Sequence, residues 1–143
     1  MVDDRYMRRC FELARQAAGQ VSPNPMVGAV LVYQDRIIGE GLHQKYGTAH
    51  AEVNAINSVL PEDRHLIKAA TLYVSLEPCA HYGRTPPCAN ALVDAGIARV
   101  VIGSQDPNPQ VDGQGIAILQ AAGIAVTTGV LQAEADALHA GFF

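Results

Sequence analysis

The chain has 143 residues, 49% hydrophobic and 17% charged, with 13 Gly and 8 Pro. That length fits one domain with a sizeable core, and the apolar content excludes disorder and low complexity. Ten Lys and Arg against fourteen Asp and Glu give a net charge of −4, which excludes the broad positive field that captures nucleic acid without sequence preference and points to a small-molecule ligand.

Apolar residues at Met7, Cys10, Phe11, Ala14, Ala17 and Ala18 recur at helical steps behind Asp3, a candidate cap, and predict an amphipathic helix ending at Gly19. Cys10 falls on the apolar stripe and reads as a small core residue. Val27 to Tyr33, rich in β-branched residues, and Ile37 to Glu40 predict a hairpin closed by Gln34-Asp35-Arg36. His50 to Leu60 has helical apolar spacing and is stopped by Pro61. Strands and helices then alternate: strand Thr71 to Leu76, helix from about Pro87 to Ala95, strand Arg99 to Gly103, helix from about Gly113 to Ala122, strand Ile124 to Thr128, helix Gln132 to Ala140. Such alternation makes the last three strands parallel with helices on both faces, while the hairpin adds an antiparallel edge. The expected architecture is α/β, a three-layer α/β/α sandwich on a mixed five-stranded sheet.

The longest apolar run, Met26 to Tyr33, is far short of the roughly 18 residues that cross a bilayer. Acids near the N-terminus stand where an export signal needs bases. No membrane partner and a cytoplasmic, reducing location are therefore expected. In that setting three cysteines, an odd number, direct attention to metal binding or catalysis.

His50-Ala51-Glu52 opens one predicted helix, Pro78-Cys79 follows the third strand, and Cys88 lies at the start of the next helix. At a helix N-terminus the dipole and unpaired N–H groups favour the thiolate, the form that zinc binds. His50, Cys79 and Cys88 supply three ligands to one tetrahedral zinc ion and leave a fourth position for water, as catalytic sites do. Glu52, two residues beyond His50, can take that water's proton without binding the metal and deliver it to a leaving group. His-x-Glu followed by Pro-Cys-x-x-Cys is the pattern of zinc deaminases. Here eight residues, Ala80 to Pro87, stand between the cysteines in place of two and insert a loop at the mouth of the pocket.

Pro23-Asn24-Pro25-Met26-Val27-Gly28, His50-Ala51-Glu52-Val53, Leu76-Glu77-Pro78-Cys79, Gly83-Arg84-Thr85-Pro86-Pro87-Cys88 and Asp106-Pro107-Asn108-Pro109 together resemble the deaminase domain of the bacterial RibD family of riboflavin biosynthesis proteins. The resemblance runs the length of the chain and implies a cytidine deaminase-like fold. It also implies hydrolytic deamination, at pyrimidine C2, of 2,5-diamino-6-(5-phosphoribosylamino)pyrimidin-4(3H)-one to 5-amino-6-(5-phosphoribosylamino)uracil. By residue type alone Asn24 is a turn residue, His43 a surface histidine, His81 and Arg84 a solvated pair, and Asp106 and Asn108 a turn. The resemblance turns all six into substrate contacts: Asn24 toward the pyrimidine edge, His43 beside it, and His81 and Arg84 toward phosphate. Asp106 and Asn108 fall beyond a strand end, where open α/β sheets collect ligands, and are directed to ribose or phosphate. A homo-oligomer is implied too, as is a reductase domain in the full-length protein. Gly113-Gln114-Gly115 lacks the third glycine of a dinucleotide fingerprint, so no NADPH site is expected in this chain.

Two other readings share these residues. A deaminase of tRNA adenosine or of a free nucleoside would use the same zinc core, but the acidic charge and the eight-residue spacing count against it. A structural zinc module closed by His81 as a fourth ligand would leave Glu52 without a role.

Overall fold

In the computed structural model, which describes residues 2–16, 27–42, 50–78, 88–105 and 113–139, α1 (Val2–Gln16) precedes a hairpin of β1 (Gly28–Tyr33) and β2 (Arg36–Leu42). Then come α2 (Ala51–Asn57), a 3₁₀ helix (Pro61–Ala69), β3 (Thr71–Leu76), α3 (Cys88–Ala95), β4 (Arg99–Ser104), α4 (Gln114–Ala121), β5 (Ala125–Thr127) and α5 (Gln132–His139). The strands form one sheet in the order β2-β1-β3-β4-β5. β1 is antiparallel to β2 and β3, while β3, β4 and β5 run parallel. This is the mixed five-stranded sheet expected from the alternation of strand and helix.

The strand period of two divides the core into two layers. Ala29 and Leu31 of β1, Leu72 and Val74 of β3, and Val100 and Ile102 of β4 face α2, α3 and α4, meeting Ala51, Ala55, Leu92 and Leu119. Val30, Val32, Tyr73 and Val101 face the other way, against Tyr6, Met7, Cys10 and Phe11 of α1 and Ala135 of α5. Coverage on both faces is why β1, β3 and β4 are apolar almost throughout. Cys10 is wholly buried and burial pushes its thiol well up, so it is the inert core residue expected. Arg9 of α1 grips Glu40 of β2 with two hydrogen bonds of 2.6 and 3.0 Å, tying the helix to the sheet's edge strand.

Several of the expected boundaries shift. Asp3 lies in the first turn of α1 rather than at its cap. The hairpin turn has two residues, not three: Tyr33 pairs with Arg36, and Gln34 and Asp35 both take the left-handed conformation at φ 47° and 61°, the requirement of a type I′ turn. α2 stops at Asn57, where the Ser58 hydroxyl donates to the Ala55 carbonyl at 2.8 Å and accepts the Glu40 N–H at 3.0 Å. The segment before β3, for which no element was predicted, is a 3₁₀ helix with Pro61 at its start and Glu62 and Asp63 in its first turn.

Candidate active site

The sheet edge that carries the candidate site is set by strand register. Leu42, ending β2, pairs with Gly28, opening β1, and Leu76, ending β3, pairs with Ser104, ending β4. The Gly28 N–H donates to Ser75 Oγ at 3.2 Å, and the Glu77 N–H to the Ser104 carbonyl at 2.9 Å, so the sheet is knitted slightly past its last ladder pairs. The ends of β2, β3 and β4 and the start of β1 thus share one edge, where open α/β sheets place their ligands.

Two glycines seat α2 on that edge. A Cβ at Gly39 would meet the Ala55 carbonyl, and one at Gly41 would meet the backbone of Ala51, Asn54 and Ala55. Helix backbone therefore rests directly on strand backbone, which no larger residue permits. Asn54 Nδ2 donates to the Leu42 carbonyl at 2.8 Å and ties the end of β2 to the same helix. His50 is the N-cap, with an extended backbone and an exposed side chain that makes no capping bond, while its carbonyl accepts the Asn54 N–H at 3.0 Å. Glu52, in the first helical turn, is only 3% exposed. A carboxylate in that first turn gains from the helix dipole.

Beyond β3, Pro78 is buried and Glu77 is 4% exposed. The Glu77 carboxylate accepts the N–H of Gly113 at 3.1 Å through Oε1, and those of Gly115 and Ile116 at 3.0 and 3.4 Å through Oε2. Sequence reasoning saw Glu77 only as part of a motif and gave it no role. Its signal was indirect: an acid closing an apolar strand, matched by an α4 whose first turn has neither an acid nor a side-chain cap.

His50, the N-cap, and Glu52, in the first turn, thus share the start of α2, and α2 lies against α3, the helix that begins at Cys88. Asn24, His43, Cys79, His81, Arg84, Asp106, Asn108 and the Cys88 side chain lie outside the described residues. The described residues that flank those stretches, Val27, Leu42, Pro78 and Gln105, are at or next to the strand ends of that same edge. One imidazole and two thiolates, His50 at the start of α2 and Cys88 at the start of α3 with Cys79 as the third, are a donor set that fits a tetrahedral zinc. Among the described residues no helix is long and apolar enough to cross a membrane.

His-x-Glu at a helix start, with Pro-Cys following a strand in the sequence, is part of the pattern of the zinc deaminases. Residues 1–104 match the cytidine and deoxycytidylate deaminase zinc-binding region, and the chain belongs to that family. Within it, the chain is similar to the diaminohydroxyphosphoribosylamino-pyrimidine deaminase of Buchnera aphidicola subsp. Schizaphis graminum, 44% identical over 143 residues that cover 100% of this chain and 95% of that one. It is also 51% identical over 141 residues to riboflavin biosynthesis protein RibD of Bacillus amyloliquefaciens, across 99% of this chain but 37% of that relative's length. The solved structure of Acinetobacter baumannii RibD superposes with a TM-score of 0.92 at 48% identity, over 99% of this chain and 38% of that one.

Proposed function

We propose that the chain, as one domain over residues 1–143, is a zinc-dependent deaminase. It converts 2,5-diamino-6-(5-phosphoribosylamino)pyrimidin-4(3H)-one to 5-amino-6-(5-phosphoribosylamino)uracil and ammonia, a step of riboflavin biosynthesis. The observation that carries this reading is the buried Glu52 carboxylate beside His50, at the helix start on the sheet edge that carries the candidate site. Similarity to a deaminase of nearly the same length supports the choice of substrate.

His50, Cys79 and Cys88 would hold one zinc ion, which when bound would supply the Lewis acidity that makes water a nucleophile at neutral pH. Glu52 takes a proton from the attacking water and passes it to the ring nitrogen beside C2, then takes the remaining proton from the hydroxyl so formed on C2 and gives it to the departing amine. The water oxygen bonds to C2 first and the exocyclic C–N bond breaks once the amine is protonated, so a carbonyl replaces the amine and ammonia leaves. Burial of Glu52 keeps bulk water from competing for that proton. Asn24 and His43 orient the pyrimidine, His81 and Arg84 meet the phosphate, and Asp106 and Asn108 contact ribose or phosphate. The chain works as a cytoplasmic homo-oligomer, with no nucleic acid or membrane partner. NADPH-dependent reduction belongs to a further domain, in keeping with the greater length of RibD.

The test is ammonia release from the diaminopyrimidine by the chain and by Glu52→Gln at matched zinc content. The wild-type chain should turn over, and the variant should keep zinc and lose at least about 10²- to 10⁴-fold. Retained turnover in Glu52→Gln refutes the acid–base assignment. Release from cytidine, guanine or tRNA in place of the diaminopyrimidine refutes the substrate.

A further inference from the structure

Glu52 and Glu77 are the two buried carboxylates among the described residues, and the deaminase chemistry uses only the first. Glu77 lies two residues before Cys79 and spends both its oxygens on α4, 36 to 39 residues away in sequence. α4 has Gly113 as its N-cap in the left-handed conformation, φ 77°, with no side-chain cap of its own. Its leading N–H groups would otherwise go unpaired beside a buried strand end. A second contact fixes the same junction: a Cβ at Gly115 would strike the Pro78 carbonyl, so α4 sits directly on the backbone that leads to Cys79. Residue 112, which ends the stretch carrying Asp106 and Asn108, is joined directly to Gly113.

We infer that Glu77 is a positioning residue, whose carboxylate and the close Pro78–Gly115 packing bind the Cys79 strand end and the start of α4 into one unit, coupling the metal site to the Asp106–Asn108 substrate stretch. The inference rests on the zinc reading of Cys79. Order imposed at Cys79 by a bound metal then reaches the amides of α4, and by reciprocity disturbance of the carboxylate weakens the metal.

Hydrogen exchange on the wild-type chain, zinc-free and zinc-loaded, tests the coupling without a variant. Zinc should slow exchange at amides 113, 115 and 116 while leaving the α5 amides unchanged. Glu77→Gln, which turns one acceptor into a donor facing N–H groups, should weaken zinc about 10- to 100-fold in competition with a chromophoric chelator. It should also raise KM by more than it lowers kcat. Gly115→Ala should reproduce both effects from the other side of the contact. Zinc loading with no change at amides 113–116, or a Glu77→Gln chain that binds zinc as tightly as wild type, overturns the coupling even if its Tm falls. A wild-type chain that takes up no zinc overturns the metal reading itself, and the coupling with it.

Discussion

At the opposite end of the sheet from Glu52, the Asp3 carboxylate accepts the Tyr73 hydroxyl at 2.7 Å and Arg99 Nη2 at 2.9 Å. Burial alone would raise the Asp3 carboxyl, but the hydrogen bonds from Tyr73 and Arg99, with the Arg99 charge, hold it below its ordinary value. A depressed carboxyl contributes stability above its unfolded value of about 3.9 and loses it as pH falls through the lower folded one. Asp3→Asn should therefore cost about 1 kcal/mol in urea unfolding at pH 7, with the gap closing below about pH 4. Because the lock lies at the starts of β3 and β4, zinc content and kcat should stay at wild-type values. A variant that loses zinc would mean that the two ends of the sheet are coupled. Residue type suggested a cap at Asp3; its partners, 70 and 96 positions away, are a tertiary fact that local pattern does not hold. The placing of Glu52 in the first turn of α2 was legible because His50-Ala51-Glu52 opens that helix's periodic run. Glu77 was not, since its partners are N–H groups of a distant helix.

Among the elements, those with an apolar period were legible whatever their length, and the 3₁₀ helix, which has none, was not. β3 has the bounds expected from its run of apolar and β-branched residues, and β4 extends one residue further, to Ser104. β5 shrinks to three residues because the sheet ends there and nothing pairs its far side among the described residues. The 3₁₀ helix escaped notice because its nine residues hold few apolar ones and only Ile67 is buried. It is held to β2 by Arg36 and Asp63, which form two exposed hydrogen bonds of 3.1 Å. The seat of α2 was hidden for another reason: glycine in a strand reads as weakness, whereas Gly39 and Gly41 are where helix backbone comes down onto β2. Gly41→Ala should push α2 off the strand at the cost of about 1 to 3 kcal/mol. Since His50 and Glu52 ride on the start of α2, kcat/KM should fall about 10²-fold or more, beyond what partial unfolding removes. Urea unfolding and kinetics at a temperature where the variant is fully folded separate the two effects, and wild-type kinetics there would show that the helix start tolerates the shift.

For the whole molecule, the question is what the metal holds and what the core holds. The expected ligands join α2 at His50 to α3 at Cys88, and both helices are already buried against β1, β3 and β4 through Ala51, Ala55, Ala89 and Leu92. The second layer, α1 and α5 with Val30, Tyr73 and Val101, has no part in the metal site. A sheet covered on both faces has its own driving force for folding, unlike a small zinc finger that unfolds without its metal. Stripping zinc with a chelator should therefore abolish ammonia release while leaving far-UV circular dichroism close to that of the loaded chain. Because metal that binds only the folded state stabilises by mass action, zinc at about 1,000 times its Kd should raise the unfolding free energy by about 4 kcal/mol. The difference appears as a shift in urea midpoint at unchanged slope, since the surface exposed on unfolding is nearly the same. A changed slope, or lost helicity at pH 7, would mean that the metal organises α2 and α3 rather than binding where the two glycines and the apolar core have already set them.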